Sequence, residues 1–229
     1  MMTSPSSQAP LAAAMAHEPA IAAAVAARDA GSPEFQITGT EALYPFVSTA
    51  LVRDAATVLV VTATARDAED LVDHLRCLVD EPDHIAYFPA WETLPHERLS
   101  PRSDTVGRRL AVLRHLVHGD ADRPRVVVAP VRSVLQPQVK GLADLEPVEL
   151  RAGQDIELDV VVARLAAAAY TRVDLVERRG EFAVRGGIVD VFPPTEEHPL
   201  RVEFWGDTVD EIRHFAVADQ RTVEAVDRL

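Results

Sequence analysis

The sequence predicts an α/β protein, with an open, mostly parallel sheet in its first part and a smaller β-rich α/β unit after it. Three observations carry this reading. Apolar runs of strand length alternate with amphipathic runs of helical length between residues 57 and 129, the pattern of a sheet covered by helices on both faces. After Gly141 the pattern changes to short alternating strands punctuated by glycines. The 229 residues, 48% hydrophobic and 26% charged, suffice for one sizeable core or two modest ones.

The elements follow in order. Leu11 to Ala30 is alanine-rich and favours helix, with Pro19 either dividing it or delaying its start. Phe35 to Gly39 predicts a short strand running into a turn, and a helical pattern extends from about Pro45 to Ala55. Thr57 to Thr62 (TVLVVT) is almost continuously apolar, as expected of a parallel strand covered on both faces. Arg66 to Val79 places Ala68, Leu71, Val72, Leu75 and Leu78 at helical spacing. Ile85 to Phe88 predicts another strand, Val106 to Val117 another helix and Val126 to Ala129 a further buried strand. Between them, Ala90 to Thr105 reads as a long surface connection, open either to partner binding or to a plain linking role.

In the second unit, Val148 to Leu150 predicts a strand, followed by a helix capped by Asp155 and running through Ala169. Thr171 to Glu177 and Glu181 to Arg185 predict a hairpin around Arg179-Gly180, because glycine accepts the positive φ of a tight turn. Gly186-Gly187 then predicts a bulge or bend, Ile188 to Phe192 a strand stopped by Pro193-Pro194, and Leu200 to Trp205 and Val209 to Val217 two more strands around the turn Gly206-Asp207. The domain reading is a helical lead-in over residues 1–34, a first domain over 35–146 and a second over 147–229, whose ordered-looking last residues suggest truncation at its end.

Composition excludes several classes of function. A net charge of -13 argues against generic coating of nucleic acid, which needs a concentrated basic surface. Cys77 is the only cysteine, so neither a disulfide framework nor a cysteine zinc site is available. No apolar run approaches the roughly 20 residues that span a bilayer, and the opening MMTSPSSQAP has no basic head before an apolar core; cytoplasmic residence is the expectation. Of 23 lysines and arginines only Lys140 is lysine, so lysine-dependent chemistry has a single candidate.

Catalytic groups are equally scarce. A phosphate-binding loop would occupy Thr38, Gly39, Thr40 and Glu41, between the strand at Ile37 and the following helix. It would need several glycines to turn N–H groups onto phosphate, a lysine and a magnesium-binding hydroxyl. This segment has one glycine, no lysine, and a glutamate that repels phosphate. His115 and His118 read as a helical surface pair, with His74, His84 and His96 isolated, and no metal motif results. Asp67, Glu69, Asp70 and Asp73 fit the solvated face and first turn of a helix. No catalytic residue, cofactor site or metal site is expected in this chain.

The stronger signal is a face. Alternation along Arg201-Val202-Glu203-Phe204-Trp205 sends Arg201, Glu203 and Trp205 to one side and Val202 and Phe204 to the other. Likewise Phe182 and Val184 point inward while Glu181, Ala183 and Arg185 face out, and Arg172 shares a face with Asp174. If these outward faces coincide, Arg172, Arg185, Arg201, Glu203 and Trp205 form a platform of arginines and an aromatic ring, typical interface material. The same residues also fit a solvated sheet face with internal ion pairs.

The run YTRVDLVERRGEFAVRGGIVDVFP followed by LRVEFWGD resembles the second domain shared by the excision-repair protein UvrB and the bacterial transcription-repair coupling factors, the Mfd family. TVLVVTATARDAEDLVDHL, IAYFPAWETLPHERLSPRSDTVGRRLAVLRHL and RVVVAPVRSVLQP are similar to the first domain of that family, so the resemblance spans roughly residues 35–229. It implies a helicase-like first domain with a degenerate phosphate loop where UvrB has a working one, and it points to the Mfd branch. It further implies a non-catalytic recruiting region that binds UvrA. The partner contacts fall on Arg185, Arg201 and Trp205, where relatives often have phenylalanine, with Arg172 and Glu203 added from the UvrB surface; a further basic UvrB position falls on Ala183. By the same resemblance a C-terminal regulatory domain masks this face at rest. RNA polymerase, duplex DNA, ATP and magnesium are engaged mainly by other regions of the whole protein. The alternative is a UvrB-like nucleotide- or DNA-binding fragment, with Arg98, Arg102, Arg108, Arg109 and Arg114 as the basic candidates.

Overall fold

The computed structural model describes residues 9–53, 56–93, 100–119 and 123–229, in two compact units: Met1–Leu94 with Arg109–Ala143, and Pro95–Arg108 with Asp144–Leu229. Both are α/β, the first built on a parallel three-stranded sheet and the second on a mixed six-stranded one.

In the first unit, the alanine-rich start forms α1 (Ala9–Met15) and α2 (Pro19–Asp29). Pro19 sits at the head of α2, where its missing N–H costs nothing, and the Glu18 carboxylate caps the freed amides of Ala20 and Ile21. The strand expected at Phe35 to Gly39 does not form: residues 34–40 have no regular structure and lead into a 3₁₀ turn, Glu41–Leu43, and α3 (Tyr44–Ala50). A strand needs a ladder partner for its backbone, and none of the described strands pairs with this segment. Residues 54 and 55, at the expected end of that helix, lie outside the described residues.

Next come β1 (Val58–Thr62), α4 (Ala65–Leu78), β2 (Ile85–Tyr87), α5 (Ser103–His118), whose residues up to Arg108 belong to the second unit, β3 (Val126–Pro130) and α6 (Val131–Leu135). The strand order is β1-β3-β2, all parallel. Helix α4 begins with a capping box in which the Thr64 hydroxyl accepts from the Asp67 amide and the Asp67 carboxylate accepts from the Thr64 amide. That accounts for one of the clustered acids without a metal. Its buried stripe, Ala68, Leu71, Val72 and Leu75, packs on Val126, Val128 and Ile85, with Val58 and Val60 alongside. Each of the leucine and valine side chains, when fully buried, contributes roughly 1.5–3 kcal/mol. Strand β3 is buried at every position, as its sequence predicts, but β1 is not: Leu59 and Val61 are about half exposed. β1 lies at the sheet edge and is covered on only one face, whereas the run TVLVVT predicted cover on both.

The second unit adds α7 (Leu158–Ala167) and β4 (Thr171–Arg172), β5 (Glu181–Arg185), β6 (Ile188–Val191), β7 (Leu200–Trp205), β8 (Thr208–Phe215) and β9 (Thr222–Val226), hydrogen-bonded in sequence order. Three expectations are corrected here. Asp155 does not cap α7; it accepts from the Thr208 hydroxyl at 2.7 Å, and α7 starts later, after Glu157. Val148 to Leu150 is no strand, although Leu150 exchanges both backbone hydrogen bonds with Leu229. β4 pairs parallel with β5, so Arg179-Gly180 is not a hairpin turn: the chain loops back before β5 begins. The true hairpin turn is Gly186-Gly187, which joins β5 and β6 antiparallel through Arg185 and Ile188, with Gly186 at a φ of 59°. Gly107 is needed for a different reason, since a Cβ there would stand 2.3 Å from that of Pro194.

One face of the six-stranded sheet, through Phe182, Val189, Val202 and Ile212, packs on Leu150, Val161 and Leu165. On the other face, Ala183, Phe192 and Phe215 form a smaller cluster with Val176. No described helix is long and apolar enough to cross a membrane.

Candidate docking face

Cross-strand partners in a sheet project from the same face. The register therefore lays one row through Ala183, Asp190, Arg201 and Arg213, and the next through Arg185, Ile188, Glu203 and Glu211. Arg185, Arg201 and Glu203 thus share the face opposite the main core. Trp205 continues the same alternation to the end of β7, where it is 83% exposed and flanks the turn Gly206-Asp207.

Arg172 does not join them. Its partner in the parallel ladder is Phe182, so pairing places it on the side that Phe182 and Val202 occupy, across the sheet from Arg201. The expectation that all the outward faces coincide fails at this position, because it assumed an antiparallel hairpin. Ala183, expected to face out, does lie on the Arg201 side but is buried under the smaller cluster.

The centre of the face is Asp190, which strand alternation alone does not mark. It is 1% exposed and accepts three charge-assisted hydrogen bonds. Arg201 Nε donates to Oδ1 at 2.6 Å and Arg201 Nη2 to Oδ2 at 2.9 Å, a bidentate fork, while Arg185 Nη2 donates to Oδ2 at 2.6 Å. The Arg201 guanidinium also lies 4.7 Å over the Phe215 ring and reaches Gln220. The hydrogen bond to Asp190 raises the Arg201 pKa above its already high ordinary value; burial opposes this, and the charges of Asp190 and Glu203 reinforce it. Arg213 bonds Glu203 and, at 3.0 Å, Glu211. The face thus carries three cations and three anions, largely paired internally. Within it the Arg185 side chain remains half exposed, whereas that of Arg201 is only 16% exposed. The internal ion pairs of a solvated sheet face are present, and the outermost groups, Arg185 and Trp205, remain accessible.

A signal for Asp190 was present in the sequence. It is the one acid inside the apolar strand IVDV, and a buried carboxylate is retained only where partners compensate its lost hydration.

The phosphate-loop candidates Thr38, Gly39, Thr40 and Glu41 lie in the first unit, exposed, in the irregular stretch and at the start of the 3₁₀ turn. Among the basic candidates for DNA contact, Arg109 is fully buried and so unsuited to it, Arg102 pairs with Asp104, and Arg98 lies outside the described residues, as does His96. Among the described residues no group of three or more histidine, cysteine or acidic side chains is placed to hold a metal.

Residues 148–229 match the model of the UvrB interaction domain. The chain is 55% identical over 185 residues, 79% of its length, to a transcription-repair-coupling factor of Mycobacterium tuberculosis (strain CDC 1551 / Oshkosh), of which it covers 15%. It is similar to the proteins of the same description from Bacillus subtilis (33% over 171 residues, 74% of this chain and 14% of the relative) and Escherichia coli (30% over 178 residues, 77% and 15%). The chain thus spans about one seventh of the length of these relatives.

Proposed function

We propose, from the premise that residues 148–229 belong to the UvrB interaction domain family, that this chain is a non-catalytic recruiting region: it binds UvrA and so brings it to RNA polymerase stalled at DNA damage, in transcription-coupled nucleotide excision repair. The observation that carries this reading is the exposed pair Arg185 and Trp205 on an otherwise self-satisfied charged face. A large ring left 83% exposed gains the most from becoming dry on docking, and a half-exposed guanidinium with unspent N–H groups suits a partner carboxylate.

Arg201 and Glu203 belong to the same face, Arg201 largely committed to Asp190 and Glu203 to Arg213. Arg172, on the opposite side of the sheet, contributes only if the partner wraps the β4 edge. The first unit is read as a helicase-like lobe whose phosphate loop, at Thr38, Gly39, Thr40 and Glu41, has lost the residues that hold nucleotide; no cofactor is proposed for this region. The intact protein would be a cytoplasmic ATP-dependent translocase on duplex DNA, with ATP and magnesium in motor domains elsewhere. Its C-terminal regulatory domain would cover the docking face at rest.

The test is direct titration of purified UvrA with this chain by calorimetry, beside Arg185→Glu and Trp205→Ala. Complex formation by the wild type, lost on charge reversal in a chain that still melts cooperatively above the titration temperature, is the expected result; some loss of melting temperature accompanies it, since Arg185 pairs with the buried Asp190. Truncating a central arginine typically removes about 2–4 kcal/mol of binding free energy, and reversal adds repulsion. Wild-type affinity in both variants would dismiss the face.

A further inference from the structure

The two arginines on Asp190 are held unequally, and the difference assigns the carboxylate a role. Arg201 spends Nε and Nη2 on Asp190, rests on Phe215 and is mostly withdrawn from solvent. Arg185 spends only Nη2 on the same carboxylate and keeps half its side-chain surface. Asp190 itself stands between Val189 and Val191, both fully buried, so its position is fixed by the core packing of β6.

We propose that Asp190 is a positioning residue for docking: through Oδ2 it holds the half-exposed Arg185 guanidinium in the orientation that presents its remaining N–H groups to a carboxylate of the partner, while Arg201 fixes Asp190 from the other side. This rests on the recruitment reading above. A free arginine at a sheet edge loses rotamer freedom when it docks, and one already held by a buried acid has lost much of it beforehand. Two neighbouring guanidinium groups also repel, and the carboxylate between them lets both stay charged and close. The partner surface that fits is acidic, with a carboxylate able to take a planar fork and an apolar recess beside it for Trp205.

The test is a binding cycle on the whole chain with purified UvrA. Asp190→Asn keeps the shape and an acceptor but removes the charge. It is expected to weaken binding about tenfold, the worth of re-immobilising one long side chain. Arg185→Ala is expected to weaken binding more, and Asp190→Asn added to Arg185→Ala to weaken it no further. A purely structural carboxylate would instead give the same loss with and without Arg185, and that additivity overturns the proposal, as does wild-type affinity for Asp190→Asn. Should Asp190→Asn not fold, Arg185→Lys carries the test. Lysine keeps the charge without the fork, so it is expected to bind as poorly as Arg185→Ala, and wild-type affinity there overturns the proposal. Absence of binding by the wild type would overturn the recruitment reading itself, a result distinct from any of these.

Discussion

Arg109 in the first unit and Arg201 in the second are both withdrawn from water, yet opposite environments hold them. Arg109 lies 4.1 Å from the centre of the Phe88 ring and 4.4 Å from that of Trp91, and it donates to the Pro89 carbonyl. Its Nε and Nη2 have no hydrogen-bond partner among the described residues. Burial lowers its pKa to about 10. Arg201 is given a bidentate acid, and its pKa moves the other way. A ring face offers an arginine area and a weak quadrupole; a buried carboxylate offers a defined geometry. The first environment braces α5 against the segment that follows β2, and the second fixes the orientation of a guanidinium on the sheet face.

That contrast sets the largest expected effect. Replacing Arg201 by methionine leaves the buried Asp190 with Arg185 alone, and a buried acid stripped of its main partner costs about 3 kcal/mol. Replacing Arg109 by methionine removes a charge whose donors are partly unpaired and supplies a thioether that packs well on aromatic rings; the expected cost is below about 1 kcal/mol. Denaturant unfolding of the two variants measures both. Equal losses would erase the distinction between brace and clamp.

How far the sequence revealed these environments depended on period. Helix α4 and strand β3 were legible because Ala68, Leu71, Val72 and Leu75 repeat every three or four residues and Val126 to Ala129 run unbroken. The half-open face of β1 was not, because Leu59 and Val61 are as apolar as Val58 and Val60, and only the sheet order shows which pair is covered. Alternation alone brought Arg201, Glu203 and Trp205 to one face. It does not choose between a parallel and an antiparallel neighbour, so it does not fix the side of Arg172, and Gly180, with a φ of 85°, has the glycine conformation of a hairpin turn without making one. Asp190 became interpretable only once the register set it between Ala183 and Arg201.

A smaller effect sharpens the line between presenting groups and holding groups. Trp205, 83% exposed, touches too little of the fold to stabilise it, so Trp205→Ala is expected to change unfolding free energy by no more than about 0.5 kcal/mol while weakening UvrA binding. The pairing of stability and affinity measurements on one variant decides this. A large stability loss would make the ring structural and leave Arg185 as the sole presented group.

An effect that vanishes at neutral pH concerns what burial does to charge in the absence of a compensating partner, the condition that Arg109 illustrates for a base. Tyr170, packed against the core of the second unit, illustrates it for an acid: burial first, and the nearby Glu196 charge second, raise its phenol to about 12. The folded state then holds this proton more tightly than the unfolded chain, where a phenol titrates near 10. The resulting stabilisation is complete below about pH 10 and fades as pH rises from about 10 through about 12. Tyr170→Phe has no proton to lose, so its stability is expected to fall less steeply across that window, and the last step of the tyrosinate absorbance titration is expected to vanish. An absorbance curve that keeps this step in the variant would mean that another tyrosine titrates there, and that Tyr170 does not share with Arg109 the bias of a buried site toward the neutral form.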